Sequence, residues 1–178
     1  MARFSLDVWR SRADDKRRKA TDAQGPETSA RRARDLKAID GIAIVVDWCT
    51  NKGLNVTFDN KDQGSYNSDT KTVRCNSRSR PETQLFLLLH ECGHFLIGDN
   101  SHEKFSLVEE AENNPTVKRM LAHRVDIISE ELEAWHRGRT LARRLKIKIK
   151  KQEWDKFRAR CLKSYIKWCL KPGDFEKD

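Results

Sequence analysis

Residues 90–94 read His-Glu-Cys-Gly-His, an HExxH pattern. Successive helical residues turn by about 100°, so histidines four apart share one face and both imidazoles can reach a single metal ion. Two imidazole nitrogens in that arrangement suit zinc. Glu91 stands beside His90 on the adjoining face, where its carboxylate can take a proton from a water activated by the metal instead of binding the metal itself. It is the candidate general base for a hydrolysis. Cys92 lies two positions from each histidine, about 200° round the helix, and is assigned to the core. Gly93 has no side chain and leaves room for another backbone to come close.

A catalytic zinc needs a third protein ligand and an open position. Glu131 (a glutamate in the middle of an apolar seam) is the candidate. The seam runs through Val117, Leu121, Arg124, Ile128, Glu131, Trp135, Gly138, Ala142 and Leu145 in alternating steps of four and three, the spacing of one packed helical stripe. A carboxylate there demands a partner, and Ala134 and Gly138 are small enough to admit a neighbouring helix. The alternative is that Glu130, Glu131 and Glu133 form one solvated acidic face; of the three, Glu130 and Glu133 fall off the seam. His102, in the loop after Gly98, is the alternative third ligand. His123 and His136 are out of phase with Glu131 and read as surface or partly buried polar residues.

These residues need elements to hold them. From about Ala33, Leu36, Ile39, Ile42, Val46 and Cys49 recur at helical spacing and Gly53 supplies a left-handed stop. Leu54 to Phe58 and Thr72 to Cys75 alternate as short strands, the second a candidate edge, with a loop containing Gly64 between them. Ser79 and Glu82 form a capping-box pattern opening a helix from Arg80 to Ile97, which Gly98 closes. The seam helix opens at Asn113-Asn114-Pro115, and Trp154, Phe157, Cys161, Tyr165 and Trp168 mark a last amphipathic helix. The fold class is therefore α+β, mostly helical, with a small sheet of short strands beside the HExxH helix. Residues 1–30 read as a mobile basic arm, 31–171 as a single domain and 172–178 as a tail.

The chain has 178 residues and a net charge of +9. No apolar run is long enough to span a bilayer, and no apolar leader follows Met1, so the reading is a soluble, cytoplasmic protein. Five cysteines without a CxxC pair fit neither a disulfide framework nor a thiolate zinc finger and read as reduced, mostly buried thiols. Between Arg137 and Lys171 fourteen basic residues face only Glu153 and Asp155. That region is a candidate surface for nucleic acid or an acidic protein.

With its HExGH-type helix, preceding strands and later Glu-x-x-Ala helix, the stretch from about Arg34 to Leu145 resembles the ImmA/IrrE family of cytosolic zinc metallopeptidases. The resemblance implies a zincin-like, gluzincin-type domain. It matches His90 and His94 to the histidine ligands, Glu91 to the catalytic glutamate and Glu131, three before Ala134, to the glutamate ligand. It also implies cleavage of a regulatory protein such as a phage or mobile-element repressor. Trp135 follows Ala134, where family members typically carry Asn or Asp, so no orienting partner for a ligand histidine is expected there. The expected activity is zinc-dependent peptide hydrolysis, with the strand near Val73 pairing to an extended substrate and Tyr66, His102 and His123 as candidates for assisting at the oxyanion. The rival reading is a nucleic-acid-binding or adaptor protein built on the same core.

Overall fold

The computed structural model describes residues 26–60, 64–98 and 105–170. Most of the expected arm, the tail and His102 lie outside them. The elements in chain order are α1 (Pro26–Asn51), β1 (Asn55–Asp59), β2 (Ser65–Asn67), β3 (Thr72–Asn76), α2 (Pro81–Ile97), α3 (Ser106–Asn113), α4 (Pro115–Arg119), α5 (Leu121–Arg144) and α6 (Lys151–Cys169). Mostly helical with one small sheet, this is the expected α+β class. The chain divides into two compact units, the first ending at Cys92 and the second starting at Gly93. The division falls inside α2. Among the described residues no helix is long and apolar enough to cross a membrane.

In the first unit α1 begins at Pro26, ahead of the apolar periodicity that starts at Ala33. Proline is well placed at a first helical position, and the residues that follow it in sequence, Glu-Thr-Ser-Ala-Arg-Arg, carry no apolar period for a sequence reading to detect. The helix stops where expected. Gly53 takes a left-handed φ of +74°, and its amide and that of Leu54 donate back to the carbonyls of Thr50 and Cys49, closing a Schellman cap. Leu54 is then buried, which starts the chain into β1.

The sheet differs from the sequence reading. Its order is β1-β3-β2, with β3 parallel to β1 (Val56 opposite Val73) and antiparallel to β2 (Tyr66 opposite Val73). The strand through Val73 is thus central, not an edge, and both its sides are already paired. The missing neighbour is β2, whose three residues are too few and too polar to show alternation. A four-residue turn joins β2 to β3, fastened by Asn67 Oδ1, which accepts from the Thr70 amide and hydroxyl at 2.7 and 2.6 Å.

Val73, Cys75 and Phe58 of the sheet, Ile42, Val45, Val46 and Cys49 of α1, and Leu88, Leu89 and Cys92 of α2 are all buried. The sheet reaches α2 through Gln84, a buried side chain whose amide donates to the carbonyls of Asn76, Ser77 and Ser79 at 2.9–3.0 Å. That glutamine sets where the motif helix begins, one residue later than Arg80.

All five cysteines are free, and four are buried. Burial pushes the Cys75 thiol from 9.0 up to about 12, with the negative field of Glu91 adding to the rise. Above pH 9 an unfolded chain releases that proton while the folded chain holds it. Stability present below pH 9 is therefore lost as pH climbs toward 12, at about 1.4 kcal/mol per pH unit. Denaturant titrations at pH 10 and 11 should show the native protein losing roughly 1 kcal/mol more than Cys75→Ala over that interval. Equal losses would show that the thiol is not held protonated.

In the second unit the seam is two helices, not one. Asn114 Oδ1 accepts from the amides of Thr116 and Val117, capping α4, and Met120 is extended (φ −67°, ψ 143°), ending α4 and preceding α5. No Pro or Gly marks that break. Its consequence is local: Leu121 is 45% exposed, whereas Arg124, Trp135, Gly138 and Ala142 keep their inward phase. Trp135 is almost wholly buried, with the rings of Trp154 and Phe157 from α6 edge-on at 5.1 and 5.8 Å. Arg124 is buried too, and its Nη1 donates at 3.4 Å to the carbonyls of Trp168 and Cys169, satisfying the last turn of α6. Lys146 ends α5 with a left-handed φ of +56°, a position that favours glycine.

Candidate metal centre

α2 carries the motif as one unbroken helix, so His90 and His94 stand one turn apart. Cys92 faces the core as expected, its sulfur 3.4 Å from that of Cys49. His90 and Glu91 are both buried, at 7% and 6% exposure. A Cβ added to Gly64 would lie 3.0 Å from Glu91 Oε1, so the residue leading into β2 is a glycine beside that carboxylate.

Gly93 gives the close approach that the sequence anticipated. A Cβ there would lie 2.0 Å from the Ala134 carbonyl oxygen, so α2 and α5 meet backbone to backbone. Arg137, which sequence reasoning did not single out, fastens the same contact: Nη1 donates to the Leu96 carbonyl, and Nε donates to Glu133 at 2.8 Å. Ile97, Phe105 and Ala134 form a buried cluster around it.

This approach brings two glutamates of α5 to His94. Glu131 Oε1 is 3.6 Å from His94 Nε2, and Glu130 Oε1 is 3.2 Å from Nδ1. Ligand atoms of His90, His94 and Glu131 all lie within 4.8 Å of one another. Two ligands of a tetrahedral zinc, each about 2.1 Å from it, are separated by about 3.4 Å. The His94–Glu131 spacing is close to that value and beyond hydrogen-bond length, so the donor set fits a divalent cation.

Glu130, off the seam in the sequence, is half-buried and lies against His94. With Nδ1–H donated to its carboxylate, His94 presents the Nε2 lone pair toward Glu131, the tautomer that metal ligation needs. An orienting partner thus comes from the residue before Glu131, while Trp135, at the position expected to supply one, is taken up by packing on α6. Nothing in a one-dimensional pattern links Glu130 to a histidine 36 positions earlier.

Replacing Glu130 by Gln should lower affinity for a divalent cation at this candidate site by about 10- to 100-fold without unfolding the chain, since such orienting carboxylates typically have that effect. Competition with a chromophoric chelator measures it. Unchanged affinity would show that Glu130 does not orient His94 toward a cation.

The remaining candidates are not among the three converging donors. His123 is buried, its Nδ1 3.1 Å from the Leu107 carbonyl and its ring edge-on to Trp168, so it serves packing. His136 is exposed. Tyr66 is half-buried on β2.

The IrrE N-terminal-like domain family of peptidases matches residues 50–149, more than half of the chain and a stretch that contains His90, Glu91, His94 and Glu131. The chain belongs to the IrrE N-terminal-like peptidase family. The family match begins at the end of α1, later than the resemblance from Arg34, and ends before α6. Comparison with curated proteins and with solved structures gives no match.

Proposed function

We propose that this IrrE-type peptidase is a zinc-dependent endopeptidase of the cytoplasm, with His90, His94 and Glu131 holding the metal and Glu91 as general base. The single observation that carries the reading is the convergence within 4.8 Å of two histidines of α2 and Glu131 of α5, with the carboxylate between the histidines, Glu91, buried. Zinc in such a set supplies Lewis-acid polarisation of water and of the scissile carbonyl.

The rest is the work of the chain itself. Glu91 takes the proton of the attacking water and returns it to the leaving amine, a role its burial strengthens by excluding bulk water. Glu130 holds His94 in one tautomer. Among the described residues the open side of β2 is the sheet edge nearest Glu91 in sequence and contact, through Gly64, and it takes the substrate-pairing role first expected of the strand through Val73. The substrate proposed is a regulatory protein, such as the repressor of a phage or mobile element.

The test is metal dependence of cleavage. Zinc-loaded protein is added to a lysate containing candidate regulators, and new N-termini are mapped by mass spectrometry. Discrete new termini that vanish after chelation and return with zinc are expected. Termini indifferent to the metal would overturn the reading.

A further inference from the structure

The structure leaves one strongly charged surface unexplained, and it lies outside the family match. On α6 the basic residues Lys156, Arg160, Lys163 and Lys167 follow at steps of four, three and four, which places them within about 60° of arc along about 16 Å of helix. All four are exposed, and among the described residues none of them forms an ion pair. The opposite side of the helix is used for packing: Trp154, Leu162 and Cys169 are buried.

The acidic residues of the segment do not cancel this row. Asp155 lies about 100° away from it and is taken up by Lys151 at 2.6 Å, Arg139 at 3.5 Å and Arg158 at 3.8 Å. Those contacts, the Lys151 hydrogen bond first, hold its carboxyl below the usual range. Glu153 stands one turn before the row. The segment leading into α6 adds to the positive field, because Leu145, Ile147 and Ile149 are half-buried while Lys146, Lys148 and Lys150 point out.

We propose that this face binds the sugar-phosphate backbone of duplex nucleic acid. A duplex carries one charge per about 1.7 Å of axis, so about 16 Å of helix meets several phosphates. Such contacts need exposed cations and nothing else. An anionic bilayer would call for a wide outward apolar face, whereas α6 buries Trp154, Leu162 and Cys169 and exposes a single large aliphatic side chain, Ile166. An unpaired strand would call for exposed rings to stack on, and none of the aromatic residues of α6 is exposed. An acidic protein would call for an apolar anchor among the charges, whereas the exposed apolar residues here, Ile166 at 47% and Leu170 at 71%, lie about 60° off the row and beyond its end. The inference is independent of the peptidase reading, since it uses no residue of the metal centre.

The test measures binding of a fluorescent duplex of mixed sequence by the full chain, as a function of salt, around about 0.15 M. The comparison is with K156Q/R160Q/K163Q/K167Q and with K37Q/K52Q/K118Q/R119Q, which removes the same charge elsewhere. All three proteins are first checked for equal melting temperature. Loss of four phosphate contacts should lower the slope of log K against log salt by about 3.6 for the α6 variant, about a hundredfold in affinity change between 50 and 200 mM salt. The control variant should keep nearly the native slope. Equal slopes for the two variants would overturn the proposal. So would tighter binding of polyglutamate, phosphatidylserine vesicles or single strands than of duplex.

Discussion

Glu91→Gln is expected to abolish peptide hydrolysis while leaving the metal bound. The amide has the size of the carboxylate, so it fits beside Gly64 without the clash that a larger group would meet there. What it lacks is a proton acceptor. A positioned general base contributes about 10²- to 10⁴-fold to rate, and that is the expected loss in kcat/KM, with zinc stoichiometry unchanged because Glu91 is not among the three converging donors. Removing a charge from a buried position should not reduce stability, since no desolvated carboxylate remains to be compensated. One spectator reports independently. The negative field of Glu91 is a secondary cause, after burial, of the raised Cys75 thiol, so the variant should let Cys75 ionise at a lower pH. Activity within tenfold of native, with that shift observed, would show that the substitution took effect and that Glu91 is not the base.

Most of this centre was legible because it depends on helical phase, and phase is a local property. His90 and His94 needed only an unbroken helix. Glu131 needed only the portion of the seam after Met120, so its convergence with the two histidines was readable even though the count began at Val117, across a break that no residue type announces. Glu130 illustrates the limit. It sits about 100° from Glu131, and its partner is supplied by tertiary approach, which periodicity does not encode. Similarly, β2 could not be found from three polar residues, and missing it misplaced β3 at an edge. Gln84 gave no signal either, because a buried amide spanning three carbonyls looks in sequence like any polar residue in a first helical turn. Elements that bury a periodic face are readable, whereas polar contacts between distant segments are not.

Gly93→Ala is expected to cost both stability and metal affinity, because the added methyl has nowhere to go. It would lie 2.0 Å from the carbonyl oxygen, 2.7 Å from the carbonyl carbon and 3.0 Å from the Cα of Ala134. Those are backbone atoms in the middle of a 24-residue helix, and no rotamer change relieves them, so α5 must move. Overpacking of this kind costs typically 1–3 kcal/mol; taking about 3 kcal/mol, the melting temperature falls by roughly 10 °C for a chain of this size. Glu130 and Glu131 ride on α5 one turn before the contact. A shift of α5 of even 1 Å changes a His94–Glu131 separation that now stands at 3.6 Å, and affinity for the proposed zinc should drop at least tenfold as the proposed third ligand is displaced. The double variant Gly93→Ala/Ala134→Gly separates the causes. The obstruction is main chain, so removing the Ala134 methyl should restore neither melting temperature nor affinity. Rescue by that second change, or a single variant indistinguishable from native, would mean that the two helices do not meet backbone to backbone at Gly93.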